Sequence, residues 1–155
     1  MKDSIRIAIA VSEFNSEITL KMLDAAKAHA HTLGIKISYV CFVPGVFDMP
    51  LIIDELLQKK NVDAVVTLGS VIKGETSHDQ VVAMNASRLI GDLSLKFHKS
   101  VTLGITGPNI TFTQAKKRIV VVAKRAVDAA VLMTLRLRKL REMNNDTETM
   151  ERLID

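Results

Sequence analysis

Four short runs rich in Ile and Val, each followed by a stretch of helical apolar period, constrain this chain more than any other feature. The runs are residues 5–11 (IRIAIAV), 35–43 (IKISYVCFV), 64–68 (AVVTL) and 101–105 (VTLGI). β-Branched side chains stiffen the backbone and favour extended geometry, so each run predicts a strand. Between the runs the period changes to that of a helix. Ile18, Met22, Ala26, Ala30 and Leu33 fall on one face, Gly34 supplies a stop, and Asn15 or Ser16 offers a capping oxygen at the start. Pro44-Gly45 turns the chain, and Pro50 suits the first turn of a second helix ending near Lys60. A third helix is expected over 79–97 with Val82, Ala86, Leu89 and Leu93 inward. A last helical region covers 113–142, either continuous or broken near Ala123.

Strands alternating with helices over short connections require right-handed crossovers, which put helices on both faces of a parallel sheet. The expected fold is therefore α/β: a single-domain three-layer α/β/α sandwich with a four-stranded parallel sheet over residues 1–143, followed by a poorly ordered polar tail over 144–155. With 155 residues the chain suits one domain and can bury about two-thirds of its unfolded surface. Trp is absent and aromatics make up only 4%, so aliphatic side chains must fill the core. No apolar run approaches the ~18 residues needed to span a bilayer, and no secretory signal opens the chain. Cys41 stands alone, which rules out an intrachain disulfide or a cysteine-rich zinc site and fits a reducing cytoplasm. Much of the net charge of +4 lies in the basic run 136–141. Without interleaved aromatics or a nucleic-acid motif, this run reads as a solvated helix face; neither nucleic acid nor a membrane is the expected partner.

In open parallel sheets, ligands bind beyond the carboxyl ends of the strands. The loops expected there are 12–15, 43–48, 69–78 and 106–109. Residues 69–76 (GSVIKGET) come close to a nucleotide-binding P-loop, but Glu75 stands where that motif needs Lys, and its charge would repel a triphosphate. No G-x-G-x-x-G follows the first strand, which argues against a dinucleotide. A glycine-bearing loop entering a helix can still hold one phosphate or carboxylate on its free N–H groups.

Of the four histidines, His29 and His31 point to different sides of one helix and cannot clamp one metal ion, while His98 suits the C-terminal end of its helix dipole. His78 follows the polar loop, where it can serve as a proton shuttle at neutral pH or as part of the helix start. Phe14 and Phe47 can pack in the core or together face a planar heterocycle. Asp48 can cap the second helix or accept ligand hydroxyls.

In order and spacing these segments resemble the lumazine synthase family of riboflavin biosynthesis. The resemblance rests on Phe14-Asn15, residues 43–50 (VPGVFDMP), residues 68–78 (LGSVIKGETSH), and Gln114-Ala115 with Arg118. It extends over about residues 5–133. It implies a flavodoxin-like fold and condensation of 5-amino-6-(D-ribitylamino)uracil with 3,4-dihydroxy-2-butanone 4-phosphate to 6,7-dimethyl-8-ribityllumazine, with no cofactor or metal. By the same resemblance Phe14 stacks on the pyrimidine, and Val71 and Ile72 meet its edge through their backbone. Asn15, Phe47 and Asp48 address the ribityl chain and ring, with Val46 and Lys73 also counted as substrate-binding. Gly74, Glu75 and Thr76 bind phosphate, Arg118 arrives from a neighbouring subunit, and His78 is the acid/base.

Some positions depart from the family pattern. Asp48 replaces the more usual Glu, and Leu103 stands where many members place a ring-contacting Phe. The Gly107-Pro108 stretch is one residue longer and the segment between Arg118 and Val127 one shorter, so Lys124 and Arg125 are both candidates for a cation near the site. The resemblance also implies a homo-oligomer, either a pentamer or a shell of about 60 subunits. Val120-Val121-Val122 and Val127 with Val131 are expected to be partly uncovered in a lone subunit. Two other functions fit the same fold: a riboflavin synthase, and a non-catalytic flavin-binding shell protein.

Overall fold

The computed structural model describes residues 4–143 and 151–155, so 144–150 of the polar tail lie outside the described residues. In chain order it contains β1 (Arg6–Ser12), α1 (Ser16–Thr32), β2 (Lys36–Val43), a 3-10 turn (Val46–Asp48) and α2 (Met49–Leu57). These are followed by β3 (Ala64–Ile72), α3 (His78–Phe97), β4 (Ser100–Ile110) and α4 (Phe112–Glu142). The strands form one parallel sheet in the order β2-β1-β3-β4, the flavodoxin-like arrangement expected. The chain leaves β1 to one side for β2, then crosses to the other side for β3. The β1/β3 boundary is thus the topological switch point.

Successive strand side chains face opposite sides, and this alternation builds two cores. Ile7, Ile9 and Val11 face α1 and α4, where Ile18, Met22, Ala26, Ala123 and Val127 close the layer. Ala8, Ala10 and Val65 face α2 and α3, against Met49, Ile53, Ala86 and Ile90. Fully burying an aliphatic side chain such as Ile9 or Ile18 contributes about 1.5–3 kcal/mol, so the strand runs and helix stripes stabilise one another.

Several local expectations are corrected. β3 continues to Ile72, so residues 69–72 are strand; Gly69 and Ser70 pair with Ile105 and Thr106, and the connecting loop is only residues 73–77. β4 likewise absorbs 106–109. Its pairing resumes at Ile72 with Ile110, so residues 107–109 bulge outward, with Gly107 and Asn109 at φ 105° and 58°. α4 is unbroken at Ala123, because no Gly or Pro interrupts it and Ala123 packs fully into the core. Val127, expected at the surface, is fully buried, whereas Val120 and Val121 are exposed. Leu33 and Leu89, expected inward, are exposed; α3 instead turns the small Ala83 and Ala86, with Ile90, toward the sheet.

Opposite the binding edge, Asp63 ties three elements together. It accepts the backbone N–H of Arg6 at 2.7 Å, and the guanidinium groups of Arg6 and Arg138 lie 3.4 and 3.3 Å from its oxygens. Partial burial pushes this carboxyl up, but the Arg6 hydrogen bonds and the charges of Arg6 and Arg138 outweigh it. The net result is a pKa below the ordinary carboxylate value. Among the described residues no helix is long and apolar enough to cross a membrane.

Candidate active site at the carboxyl edge of the sheet

A mostly apolar cavity of about 470 Å3 opens at the β1/β3 switch point. It is bounded by Phe14 and Asn15 after β1, by the Pro44–Phe47 stretch after β2, by Ser70, Val71 and Ile72 at the end of β3, and by Gly74, Thr76 and His78 at the entry to α3. Gly69 makes the close approach at its floor possible. A Cβ there would sit 2.6 Å from Val46 Cγ2, so any larger residue would push the β2 loop away.

Asn15 is the start of α1 but does not cap it. It adopts the left-handed conformation, makes no side-chain cap bond, and donates from Nδ2 to the Ser70 carbonyl at 2.8 Å. The side chain therefore spans the crevice between β1 and β3. Asp48 does not cap α2 either. Its Oδ2 accepts the N–H of Gly45 at 3.0 Å and so closes the 3-10 turn that presents Phe47. Phe14 and Phe47 remain 72% and 59% exposed, which leaves both rings available at the cavity mouth rather than in the core.

His78 begins α3, a 20-residue helix whose free N–H groups and positive dipole end face the 73–77 loop. Gly74 and Thr76 of this loop line the cavity, while Lys73 and Glu75 are exposed outside its lining. The following residue, Asp79, is 6% exposed, and its Oδ2 accepts the N–H of Asn109 at 2.9 Å. The first turn of α3 is thereby fixed to the β4 bulge. Gly107 in that bulge approaches β3 closely enough that a Cβ would lie 2.2 Å from the Val71 carbonyl oxygen.

Asp48, like Lys73 and Glu75, is next to the cavity in sequence but outside its lining, and two further expected site residues border other cavities. Arg118 borders a separate cavity of about 560 Å3 with Gln114, Lys117 and the 107–109 bulge. Leu103, 51% exposed, borders a groove with Leu95 and Met133. Neither Lys124 nor Arg125 lines the Arg118 cavity; Lys117, which the sequence did not single out, does. Ser12, Ser70, Asp79 and Val82 were also missed as cavity residues. Ser12 and Ser70 fall within stretches expected at the binding edge without being singled out there, and Asp79 reads locally as an ordinary acidic residue in a first helical turn.

A doubly wound sheet with a mostly apolar cavity at its switch point, two rings at the mouth, and a helix start with a histidine beside it defines an α/β protein of the kind that binds a small ligand at the carboxyl edge of its sheet. The chain belongs to the 6,7-dimethyl-8-ribityllumazine synthase family, whose model matches residues 4–138. It is 52% identical over 147 residues to the 6,7-dimethyl-8-ribityllumazine synthase of Saccharolobus solfataricus, covering 95% of this chain and 96% of that one. The Methanocaldococcus jannaschii protein of the same name is 51% identical over 138 residues, covering 89% and 97%. That of Sulfolobus acidocaldarius is 48% identical over 148 residues, covering 96% and 94%.

Proposed function

We propose that this chain is a transferase of riboflavin biosynthesis. It condenses 5-amino-6-(D-ribitylamino)uracil with 3,4-dihydroxy-2-butanone 4-phosphate to 6,7-dimethyl-8-ribityllumazine. The reading is carried by the convergence of Phe14, Asn15, Phe47, Gly74, Thr76 and His78 on one cavity in a chain of this family. Phe14 stacks on the pyrimidine, whose edge meets the backbone of Val71 and Ile72. Asn15, Val46, Phe47 and Asp48 hold the ribityl side. The phosphate sits at the start of α3, on the loop that carries Lys73, Gly74, Glu75 and Thr76.

The ring amine attacks the ketone and loses water as the Schiff base forms. Phosphate then departs, and attack by the ribityl-bearing nitrogen closes the second ring with loss of another water. Each step moves protons but needs no covalent nucleophile. Juxtaposition of the two substrates and an imidazole that donates and accepts near neutrality supply the rate. His78 fills that role.

Arg118 and Leu103 fit this scheme as contributions from an adjacent subunit, because neither borders the cavity of its own chain. Exposed Val120, Val121, Leu103 and Met133 supply apolar surface for that contact. The proposed assembly is a pentamer or a shell of about 60 subunits, located in the cytoplasm. Light scattering distinguishes the two sizes, and a monomer active at high dilution would rule out a shared site. For the reaction, incubation with both substrates should generate lumazine absorbance. Conversion of supplied lumazine to riboflavin would instead identify a riboflavin synthase, and binding without turnover a non-catalytic shell.

A further inference from the structure

Ser12 ends β1 at the floor of the cavity and is 1% exposed. Its Oγ has no hydrogen-bond partner among the described residues. Other polar groups at the carboxyl ends of the strands are paired: Thr106 Oγ1 lies 2.8 Å from Ser70 Oγ, and Asn15 Nδ2 donates to the Ser70 carbonyl at 2.8 Å. Buried polar groups are almost always satisfied, so one left open in a ligand cavity calls for a partner that the fold does not provide. Strand alternation puts Ser12 on the side of Ala8 and Ala10, where Val46 and Met49 pack. A Cβ at Gly69 would lie 2.6 Å from Val46 Cγ2 and 3.2 Å from Ser12 Oγ, so glycine there lets β3 pack closely against both groups without displacing the hydroxyl.

We infer that the Ser12 hydroxyl is a substrate contact that hydrogen-bonds a hydroxyl of the ribityl chain. The inference rests on the functional reading above and extends it to a residue with no role there. The flat ring is accounted for by Phe14 and the backbone of β3, whereas Ser12 lies across the crevice on β1, beside the Asn15 and Val46 side of the cavity. A serine hydroxyl both donates and accepts, and it turns among staggered positions without backbone movement; a polyol hydroxyl can meet it in either sense.

The test is a fluorescence titration of the intact protein and its Ser12→Ala variant with two compounds. One is 6,7-dimethyl-8-ribityllumazine, and the other is the same ring bearing a methyl group in place of the ribityl chain. The variant should bind the ribityl compound about three- to tenfold more weakly, the loss expected for one neutral hydrogen bond. It should bind the methyl compound as the unaltered protein does, and its thermal midpoint should not fall, since no protein partner is lost. Undiminished affinity for the ribityl compound overturns the inference. So does an equal loss for both compounds, which would mean that Ser12 only shapes the cavity, or a lowered thermal midpoint, which would mean a structural partner. If the unaltered protein binds neither compound, the functional reading itself falls and takes the Ser12 assignment with it.

Discussion

The buried carboxylate of Asp79 holds the backbone N–H of Asn109 at 2.9 Å, joining the first turn of α3 to the β4 bulge. One end of this link carries His78. The other lines the Arg118 cavity. Removing the acceptor breaks a charge-assisted hydrogen bond made by a buried carboxylate, so Asp79→Ala should cost roughly 1.5–3 kcal/mol of stability and lower turnover by loosening His78. Asp79→Asn keeps an oxygen that can accept, and it should restore most of the stability. Urea unfolding of both variants checks this; equal stability of Asp79→Ala and the unaltered protein would show the link to be unimportant.

His78→Ala should lower kcat about ten- to a hundredfold or more, within the range that general acid–base catalysis supplies, with the fold intact. Residual turnover is expected because the substrates remain juxtaposed. Steady-state kinetics on a variant of unchanged assembly size makes the measurement. Unchanged kcat would remove His78 from the chemistry.

Arg118→Ala should raise KM for the phosphate-bearing substrate far more than for the pyrimidine. A guanidinium meets phosphate in a charge-assisted, often bidentate pair that a methyl group cannot replace. Separate KM determinations give the comparison, and equal losses for both substrates would point to damaged assembly.

Asp63 gives a prediction about pH. Its folded pKa lies below the ordinary value of 3.8, so its carboxylate stabilises the fold above the unfolded pKa. That contribution is lost as pH falls through the folded pKa. Asp63→Asn should therefore be less stable than the unaltered protein at neutral pH, by roughly 1–3 kcal/mol for lost charge-assisted bonds. The gap should close as the pH falls below the ordinary carboxylate range. Denaturant midpoints across pH report both; a gap independent of pH would assign the effect to packing.

What the sequence made legible follows from period and chemistry. The strands of 5–11 and 64–68 and the inward face of Ile18, Met22 and Ala26 could be read because apolar spacing records burial directly. The ends of β3 and β4 could not, since Gly69, Gly107 and Pro108 are turn signals locally; pairing with Ile105 keeps Gly69 in the strand, and β4 resumes pairing at Ile110 beyond the bulge of 107–109. Phe14, Phe47 and His78 stand out in the sequence because their chemistry is conspicuous at the binding edge, and all three line the cavity. Ser12 and Asp79 do not, because an ordinary serine and a helix-start aspartate become unusual only once tertiary packing buries them. Locally, Asn15 and Ser16 both read as possible caps of α1 for the same reason: the partner of the Asn15 side chain, the Ser70 carbonyl, lies on a distant strand.

The most direct measurement is a crystal structure of the protein with 6,7-dimethyl-8-ribityllumazine bound. The ring is expected against Phe14, with its edge at the backbone of Val71 and Ile72, the ribityl chain running toward Asn15 and Phe47, and His78 within one water of the ring closed last. A ligand seated instead between Leu103 and Met133, or in the Arg118 cavity of the same chain with the β1/β3 crevice unoccupied, would contradict the assignment of the active site.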